Sequence, residues 1–248
     1  MAAEQRLRLT DSVPPEVVVH DVPSPCAYLP GQTWRLPLRL PLRTLSRQEL
    51  DQRLAGGDRR QGRLLYRPTC PECQACIPLR IDVTSFEPSR TQRRTLGRGD
   101  KLVTVDWGPL DVTPERLRLY NRHKELRGLS IEEHETDAES YALVLGDSCC
   151  ESFELRYSLG DELVGVAVTD RGEQSLSAVY CYYEPEHGKL SLGTYSILKQ
   201  IELCRSWGCR YLYLGLYIAE CRAMTYKAGF LPHEQLLAGG WTRVDRPG

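Results

Sequence analysis

The sequence has 248 residues, which allows one large domain or two compact ones, and 41% of them are hydrophobic, enough to build packed cores. Its formal net charge of −1 leaves room for a local basic surface that binds nucleic acid. No segment approaches the ~20 apolar residues that span a bilayer, and the polar N-terminus lacks the apolar stretch of a secretion signal. We therefore expect a cytoplasmic protein without a membrane partner, in which most of the ten cysteines are reduced thiols.

The first hundred residues contain short strands, one helix and a cysteine-rich turn. TWRLPLRLP alternates as an edge strand does, and its prolines argue against a central position in a sheet. In SRQELDQRLAGG, Ser46 and Glu49 form the capping box of a helix, and Gly56 ends it. GRLLYRP, PLRIDVTSF and KLVTVDW are strand-like. Turn residues with little apolar content at 109–113 then predict a boundary between a domain of residues 1–108 and one of residues 109–248.

The second half mixes helices and strands. Thr113-Pro114 predicts the start of a helix that runs to about Arg127, and DAESYALVL predicts another. ELVGVAVTD and SLSAVYCYYEP predict a hairpin. SLGTYSILKQIELCRSWG is the clearest helix in the chain, ended by Gly208. YLYLGLYI predicts a buried strand, AECRAMTYKAG a short helix, and the residues to about Val244 closing strands. This order favours an α/β or α+β fold, with mixed sheets flanked by helices.

Four cysteines form the first group that could carry chemistry. The run CPECQAC places Cys70, Cys73 and Cys76 in two overlapping C-x-x-C spacings, and Cys26 lies earlier in the chain. Such turns bring thiolates together on one ion, so a distant fourth ligand would complete a zinc site or hold an iron–sulfur cluster. The alternative is a turn of reduced cysteines that pack as small apolar groups. A bound metal would be structural or regulatory, because no general base stands beside an open coordination position.

A second group is basic. Arg80 precedes PSRTQRR, the run that contains Arg90. Arginines hold phosphates or a peptide carboxylate with forked hydrogen bonds, so this run suits a polyanion or an acidic peptide terminus. A solvated surface loop is the alternative.

Two motifs of the second half suggest acyl transfer. In SLGTYS, Gly193 lets the backbone approach a ligand, and the first N–H groups of the helix around Thr194 and Tyr195 favour anions. RAMTYKAGF, with Tyr226 and Lys227, follows an apolar strand further along the chain. The order of carrier-binding helix, central strand and final helix resembles that of GNAT acyltransferases. The aromatic residues of RAMTYKAGF could equally be core residues.

A carboxylate ends the strand GVAVTD. Asp170 at this position could orient or deprotonate an attacking amine. It could instead serve the DRGEQ turn that follows.

Together these stretches resemble one family, the bacterial aspartate/glutamate leucyltransferases, which are relatives of the eukaryotic arginyl-tRNA–protein transferases. The resemblance runs in order over most of the chain and is carried by CAYLPG (26–31), YRPTCPECQACIPLRI (66–81), FEPSRTQRR (86–94), GVAVTD (165–170), SLSAVY (175–180), YEPEHGKLSLGTYSILKQIE (183–202), YLYLGLYI (211–218) and MTYKAGFLP (224–232).

The resemblance implies two GNAT-like domains, with the chemistry mostly in the second. It implies that the α-amine of a protein beginning with Asp or Glu attacks the ester carbonyl of leucyl-tRNA, and that the new leucine marks the protein for degradation. The transfer requires no cofactor, because the ester is already activated. Relatives in the arginyl branch are reported to hold an iron–sulfur cluster through N-terminal cysteines.

Such a reaction needs a weak base, hydrogen-bond donors for the carbonyl oxygen and a cation for the acidic side chain. The candidates are Asp170 or Glu184 as base, the hydroxyl of Tyr180 or Tyr226 as donor, and Arg80, Arg90 or Lys227 as cation.

Two positions depart from the family pattern. Leu129-Ser130 follow a glycine where a methionine is expected, and Leu216-Tyr217 replace a commoner Tyr-Trp pair. Arginyl-tRNA therefore stays open as an alternative donor. An acetyl-CoA-dependent enzyme is a second alternative, although SLGTYS has a single glycine where a pyrophosphate loop has more. The third is a metal-cluster or nucleic-acid-binding module without transfer activity.

Overall fold

The computed structural model describes residues 8–128 and 135–246. The departure predicted at Leu129-Ser130 lies outside these residues. All ten cysteines lie within them, and all are free thiols. Within the described ranges, no helix is both long and apolar enough to cross a membrane.

A small antiparallel sheet is built from the first 66 residues in the order β1-β2-β5-β7-β6. Its strands are β1 (Arg8–Leu9), β2 (Glu16–His20), β5 (Leu38–Pro41), β6 (Arg59–Gln61) and β7 (Leu64–Tyr66), and a separate pair is formed by β3 (Ser24–Pro25) and β4 (Thr33–Trp34). Helix α1 (Arg47–Ala55) has the predicted capping box of Ser46 and Glu49. The prediction that TWRLPLRLP forms an edge strand is wrong, because β5 lies inside the small sheet, between β2 and β7. Its two prolines fall before the strand and at its last residue, where they remove no central ladder bond.

The large sheet has eight strands in the order β15-β14-β8-β13-β12-β11-β10-β9. Its members are β8 (Ile77–Asp82), β9 (Thr104–Pro109), β10 (Ser152–Leu159), β11 (Glu162–Arg171), β12 (Ser175–Tyr183), β13 (Tyr211–Tyr217), β14 (His233–Leu237) and β15 (Gly240–Val244). All neighbours are antiparallel except β12 and β13, which are parallel. The predicted hairpin of β11 and β12 is confirmed.

Helices cover both faces of the large sheet because its strands bury side chains in both directions. On one face, α2 (Arg90–Leu102) and α5 (Leu192–Ser206) enclose a core that includes Ala167, Leu176 and Leu212. On the other face, α3 (Pro114–Leu126) and α4 (Ala138–Tyr141) pack over Val166 and Val168. This mixed sheet flanked by helices confirms the predicted fold class.

The predicted division at residues 108 and 109 does not separate the two sheets. Strands β8 and β9 come from before this point, yet both belong to the large sheet. The reason is pairing: β8 is the shared neighbour of β13 and β14, and β9 pairs with β10 along its length. A sequence boundary drawn from turn residues at 109–113 cannot detect such long-range pairing.

Three local predictions also change. The basic run starting at Arg90 is helix α2, capped by Ser89 and Gln92, and so is no loop. The segment AECRAMTYKAG forms a short 3-10 helix, Thr225–Gly229. The predicted helix DAESYALVL is α4 followed by a π-helical turn, Ala142–Gly146.

Candidate active site

The centre of the large sheet opens between its two parallel strands. β12 and β13 pair from Ser175 with Tyr211 to Ser177 with Tyr213, where the ladder between them ends. β12 then continues to Tyr183 and β13 to Tyr217. We call this opening the splay. Beyond this point the backbone groups of β12 and β13 do not pair with each other and must find other partners, so the splay is the candidate place for acyl chemistry in this sheet.

The small sheet reaches into the splay with Arg59, the first residue of β6. Its Nη1 donates to Ser177 Oγ at 2.8 Å and its Nη2 to the Ala178 carbonyl at 2.8 Å. Gly215, at a bulge of β13 with a φ of 79°, lies against this guanidinium. Glycine suits this position for two reasons. It adopts a positive φ without strain, and a Cβ there would stand only 3.1 Å from Arg59 Nε.

Lys227 approaches the same place from the 3-10 helix Thr225–Gly229. Its Nζ donates to the Leu216 carbonyl at 2.5 Å. Burial, together with the smaller effect of the nearby Arg59 cation, lowers the pKa of Lys227 to about 7. Lys227 therefore lies close to β13, and its charge depends on the groups around it. Its role in the site stays a prediction.

The predicted anion-binding turn borders the end of β12. Helix α5 begins at Leu192, as predicted, and the Ser191 side chain makes no capping hydrogen bond. Gly193 lies against Tyr183, since a Cβ there would stand 3.3 Å from that ring. Thr194 is half-buried. Tyr195 is enclosed, and its hydroxyl donates to Asp100 Oδ1 at 2.9 Å, so it secures α2 against α5.

Two of the predicted catalytic side chains lie on β12 or at its end. Tyr180 is half-buried among Tyr120 and Tyr182, and burial raises the pKa of its hydroxyl, which therefore stays a donor. Glu184 follows β12 directly and accepts from Arg122 Nε at 2.5 Å. Both remain candidates by position.

Tyr226 stands beside Lys227 and is half exposed, at 51%. Its hydroxyl is near enough to Arg59 and Tyr183 to interact electrostatically with both. It is the most accessible of the predicted hydroxyl donors.

The structure removes Asp170 from this group. Its side chain is 2% exposed, and Arg60 Nε donates to its two carboxylate oxygens at 2.7 and 2.9 Å. Ser152 donates to the same carboxylate at 2.6 Å. An enclosed, fully bonded carboxylate has neither a path to an amine nor a free lone pair directed at one. Its burial and its bonded oxygens argue against Asp170 as the base, because β11 carries the residue inward.

The two predicted arginines, Arg80 and Arg90, lie in different environments. Arg80 donates to Glu234 at 2.6 Å and to the Tyr213 hydroxyl at 3.0 Å, and its guanidinium stacks on Tyr211 and Trp241. It is already neutralised. Arg90 is exposed at the first position of α2, without an ion pair to any described residue. Only Arg90 is open to an outside anion.

The four predicted metal ligands meet at one cavity. Cys26, Cys70, Cys73 and Cys76 all line it, together with Gln61 and Tyr66 of the small sheet and Leu216 of β13. Burial raises the pKa of Cys76 to about 11, with added effects of the neighbouring thiols. Among the described residues, however, no three of the His, Cys, Asp or Glu side chains are arranged to hold a metal ion. The thiols share a cavity without forming a closed ligand set.

Family models match most of the chain. The N-terminal part of the arginine-tRNA-protein transferase family matches residues 24–94 and its C-terminal part residues 115–237. The chain belongs to the arginine-tRNA-protein transferase family. It is therefore a transferase, and the splay with its surrounding side chains is its candidate active site.

Curated relatives of this transferase carry a more specific name. An aspartate/glutamate leucyltransferase of Chromobacterium violaceum is 38% identical over 88% of this chain and 90% of its own length. That of Thiobacillus denitrificans is 37% identical over 89% and 91%, and that of Gluconacetobacter diazotrophicus is 35% identical over 94% and 89%. The resemblance drawn from the sequence is confirmed.

Solved structures share the fold of the transferase. The C-terminal DUF2156 domain of a lysylphosphatidylglycerol synthetase from Agrobacterium fabrum matches with a TM-score of 0.50 and 14% identity, over 69% of this chain and 59% of that one. FemX matches with a TM-score of 0.50 and 10% identity, over 73% and 64%. At such identities the likeness concerns the fold alone.

Sequence reasoning missed two polar groups of the transferase site. Arg59 stands in GGDRRQ, which looks like a solvated charged turn. His123 is buried near the end of α3, with Nδ1 2.8 Å from the Tyr183 carbonyl oxygen, and burial lowers its pKa. Neither residue lies in a chemical motif. The small sheet carries Arg59 to the splay, and the packing of α3 against β12 carries His123 to Tyr183.

Proposed function

We propose that this transferase moves leucine from leucyl-tRNA to the α-amine of proteins that begin with Asp or Glu, and thereby marks them for N-degron degradation. The observation that carries the proposal is the name shared by the relatives above, each 35–38% identical over about nine tenths of the chain. The splay supports it, because it joins an opened pair of strands to hydroxyl donors and cations.

The reaction asks little of the protein beyond orientation. The amine nitrogen attacks the ester carbonyl, the new C–N bond replaces the C–O bond, and the tRNA 3′-oxygen leaves with a proton that originates on the amine. Aligning two reactants can contribute ~7–11 kcal/mol. An α-amine has a pKa of ~8, so part of it is already neutral at pH 7 and a weak base such as Glu184 is enough.

The carbonyl oxygen gains negative charge during the attack and needs donors. We assign this role to the hydroxyls of Tyr226 and Tyr180, together with backbone N–H groups of β12 and β13 beyond the end of their shared ladder. We further propose that Gly193 and Thr194 at the start of α5 contact the acceptor end of the tRNA, with Arg90 on α2 as a further phosphate contact. Because the donor is aminoacyl-tRNA, we place the reaction in the cytoplasm.

The cysteine cavity supports a separate, smaller proposal. Thiolates are the ligand type that zinc and iron–sulfur clusters take, and four thiols line this one cavity. We propose that they close around such a group, which then stabilises the contact of the small sheet with β13. No step of the transfer runs through it. Stoichiometric metal in the purified protein, lost in Cys73→Ser, would support the site, whereas metal-free active protein would refute it.

A transfer assay with separately charged tRNAs tests the main proposal. Labelled leucyl-tRNA or arginyl-tRNA is offered with a peptide that begins with Asp. We expect labelled leucine, and no arginine, on the peptide. Arginine incorporation would favour the donor in the name of the family model. No incorporation from either tRNA, combined with tight acetyl-CoA binding, would replace the proposal by an acetyltransferase.

A further inference from the structure

Four arginines of the described chain are buried, and one of them differs from the rest. Three have a carboxylate within reach: Arg60 has Asp170, Arg80 has Glu234 and Arg116 has Glu154. Arg59 is 7% exposed and has no ion pair to a described residue. Its recorded partners, Ser177 Oγ and the Ala178 carbonyl, are neutral.

A second cation adds to the same unpaired charge. Lys227 also bonds to a neutral acceptor, the Leu216 carbonyl, and forms no ion pair with a described residue. Arg59 lies against Gly215 and Lys227 against the Leu216 carbonyl, so the two side chains contact consecutive residues of β13. Burial lowers the pKa of Lys227, and repulsion by Arg59 adds to this effect. The carboxylate whose charge acts on Arg59 is Asp170, and this carboxylate is already hydrogen-bonded to Arg60.

Two like charges in a buried place are costly unless an anion joins them. A fold that retains them is prepared for a ligand with negative charge, and perturbed groups of this kind gather at functional sites. The two side chains lie where the β12–β13 ladder ends, beside the parts of β12 and β13 that do not pair with each other. A guanidinium there can meet the two oxygens of one carboxylate with its planar fork.

We propose that Arg59, with Lys227, binds the side-chain carboxylate of the acceptor's N-terminal Asp or Glu. The inference rests on the proposed function and names its acceptor-specificity residues. A short carboxylate on the attacking residue can reach a buried cation while its α-amine stays in the opening. Phosphates of a tRNA follow an extended backbone and suit exposed cations such as Arg90 instead. An Asn or Gln terminus would leave both cations without a counter-charge, so the site rejects it.

The test compares two peptides that differ only in their first residue, Asp or Asn. For each, kcat/KM is measured with leucyl-tRNA for the wild type, Arg59→Gln and Lys227→Met. Arg59→Gln keeps an uncharged amide donor on a shorter side chain and removes the charge. We expect each variant to lower kcat/KM for the Asp peptide ~30-fold or more, with little change for the Asn peptide, because truncating a buried charge pair has effects of this size. The preference for Asp then collapses.

Arg63→Gln is the matched control. Arg63 lies on the turn between β6 and β7, is exposed and has no ion pair with a described residue, so its loss should leave the preference unchanged. Thermal melts verify that the variants fold. If Arg59→Gln does not fold, Lys227→Met still shows whether the preference for the Asp peptide depends on this pair of cations.

The outcomes separate the two proposals. A wild type that transfers leucine equally to Asp and Asn peptides contradicts the proposed acceptor and leaves this inference without a basis. A wild type that prefers Asp, with folded variants that keep the same preference, overturns the inference alone. An equal loss on both peptides gives Arg59 and Lys227 a role in shape or donor binding and overturns it as well.

Discussion

Single residues show most clearly how burial changes the meaning of a charge. The adjacent arginines Arg59 and Arg60 have the same chemistry, yet β6 points them at different places. Arg60 meets Asp170 within the protein, whereas Arg59 meets only neutral acceptors. No sequence rule could separate them, because a strand alternates its faces and their partners lie more than a hundred positions away in the chain. The burial of Asp170 against Arg60 could not be foreseen from its motif for the same reason.

Replacing Asp170 by Asn should destabilise the protein without touching the chemistry. The change leaves Arg60 buried beside an amide, and breaking one side of a buried pair costs about 3–5 kcal/mol. Urea unfolding of Asp170→Asn measures the loss. Asp161→Asn, in the exposed turn before β11, is the control. Unchanged stability together with abolished transfer would restore Asp170 as the base.

Lys227 should make stability depend on pH. Its pKa is about 7 in the folded protein and ~10.4 in the unfolded chain, so between these values the unfolded state binds more protons. The free energy of unfolding should therefore rise with pH across this window, from about 7 upward. Lys227→Met should flatten the rise. Because Arg59 and Cys221, whose charges act on this lysine, and the adjacent Tyr226 all stay in place, the difference between the two profiles isolates Lys227. Parallel profiles would contradict the shifted pKa.

At the scale of elements, apolar periodicity located those that bury aliphatic faces. The β11–β12 hairpin and α5 have such faces, and both were found. Helix α2 was missed because its buried positions are Gln92, Thr95 and Gly99, which carry no hydrophobic signal. The residues of its capping box are present in the sequence, but a capping box alone does not predict a helix when no apolar stripe follows it.

Gly99 and Gly97 on α2 offer a matched pair of substitutions. A Cβ at Gly99 would stand 2.2 Å from the Tyr195 ring, whereas at Gly97 nothing lies within 4 Å. Gly97→Ala should stabilise the helix by about 0.5–1 kcal/mol, because alanine has the better helix propensity. Gly99→Ala should lose about 1–3 kcal/mol through overpacking and disturb the start of α5. Chemical unfolding of both variants measures the difference, and equal effects would show that α2 does not pack on Tyr195 as closely as described.

The whole molecule is held together by strands that cross the expected domain division. Family resemblance gave the fold class and reaction type, but not the interleaving: β8 enters the large sheet from the first half, and β6 supplies Arg59 and Arg60 to β11 and β12. The cysteine cavity also spans both sheets, from Gln61 to Leu216. Such long-range pairing leaves no local trace in the sequence, and the site depends on it.

The chain should consequently unfold as one unit, and a fragment of residues 109–248 should not fold alone. This fragment lacks β8, so β13 and β14 lose their shared neighbour, and it leaves Asp170 buried without Arg60. For the full chain, far-UV circular dichroism and tryptophan fluorescence should give coincident urea transitions, since Trp34 reports on the small sheet region and Trp107, Trp207 and Trp241 on the large one. A fragment that melts cooperatively, or two separate transitions in the full chain, would instead support independent domains divided near residue 109.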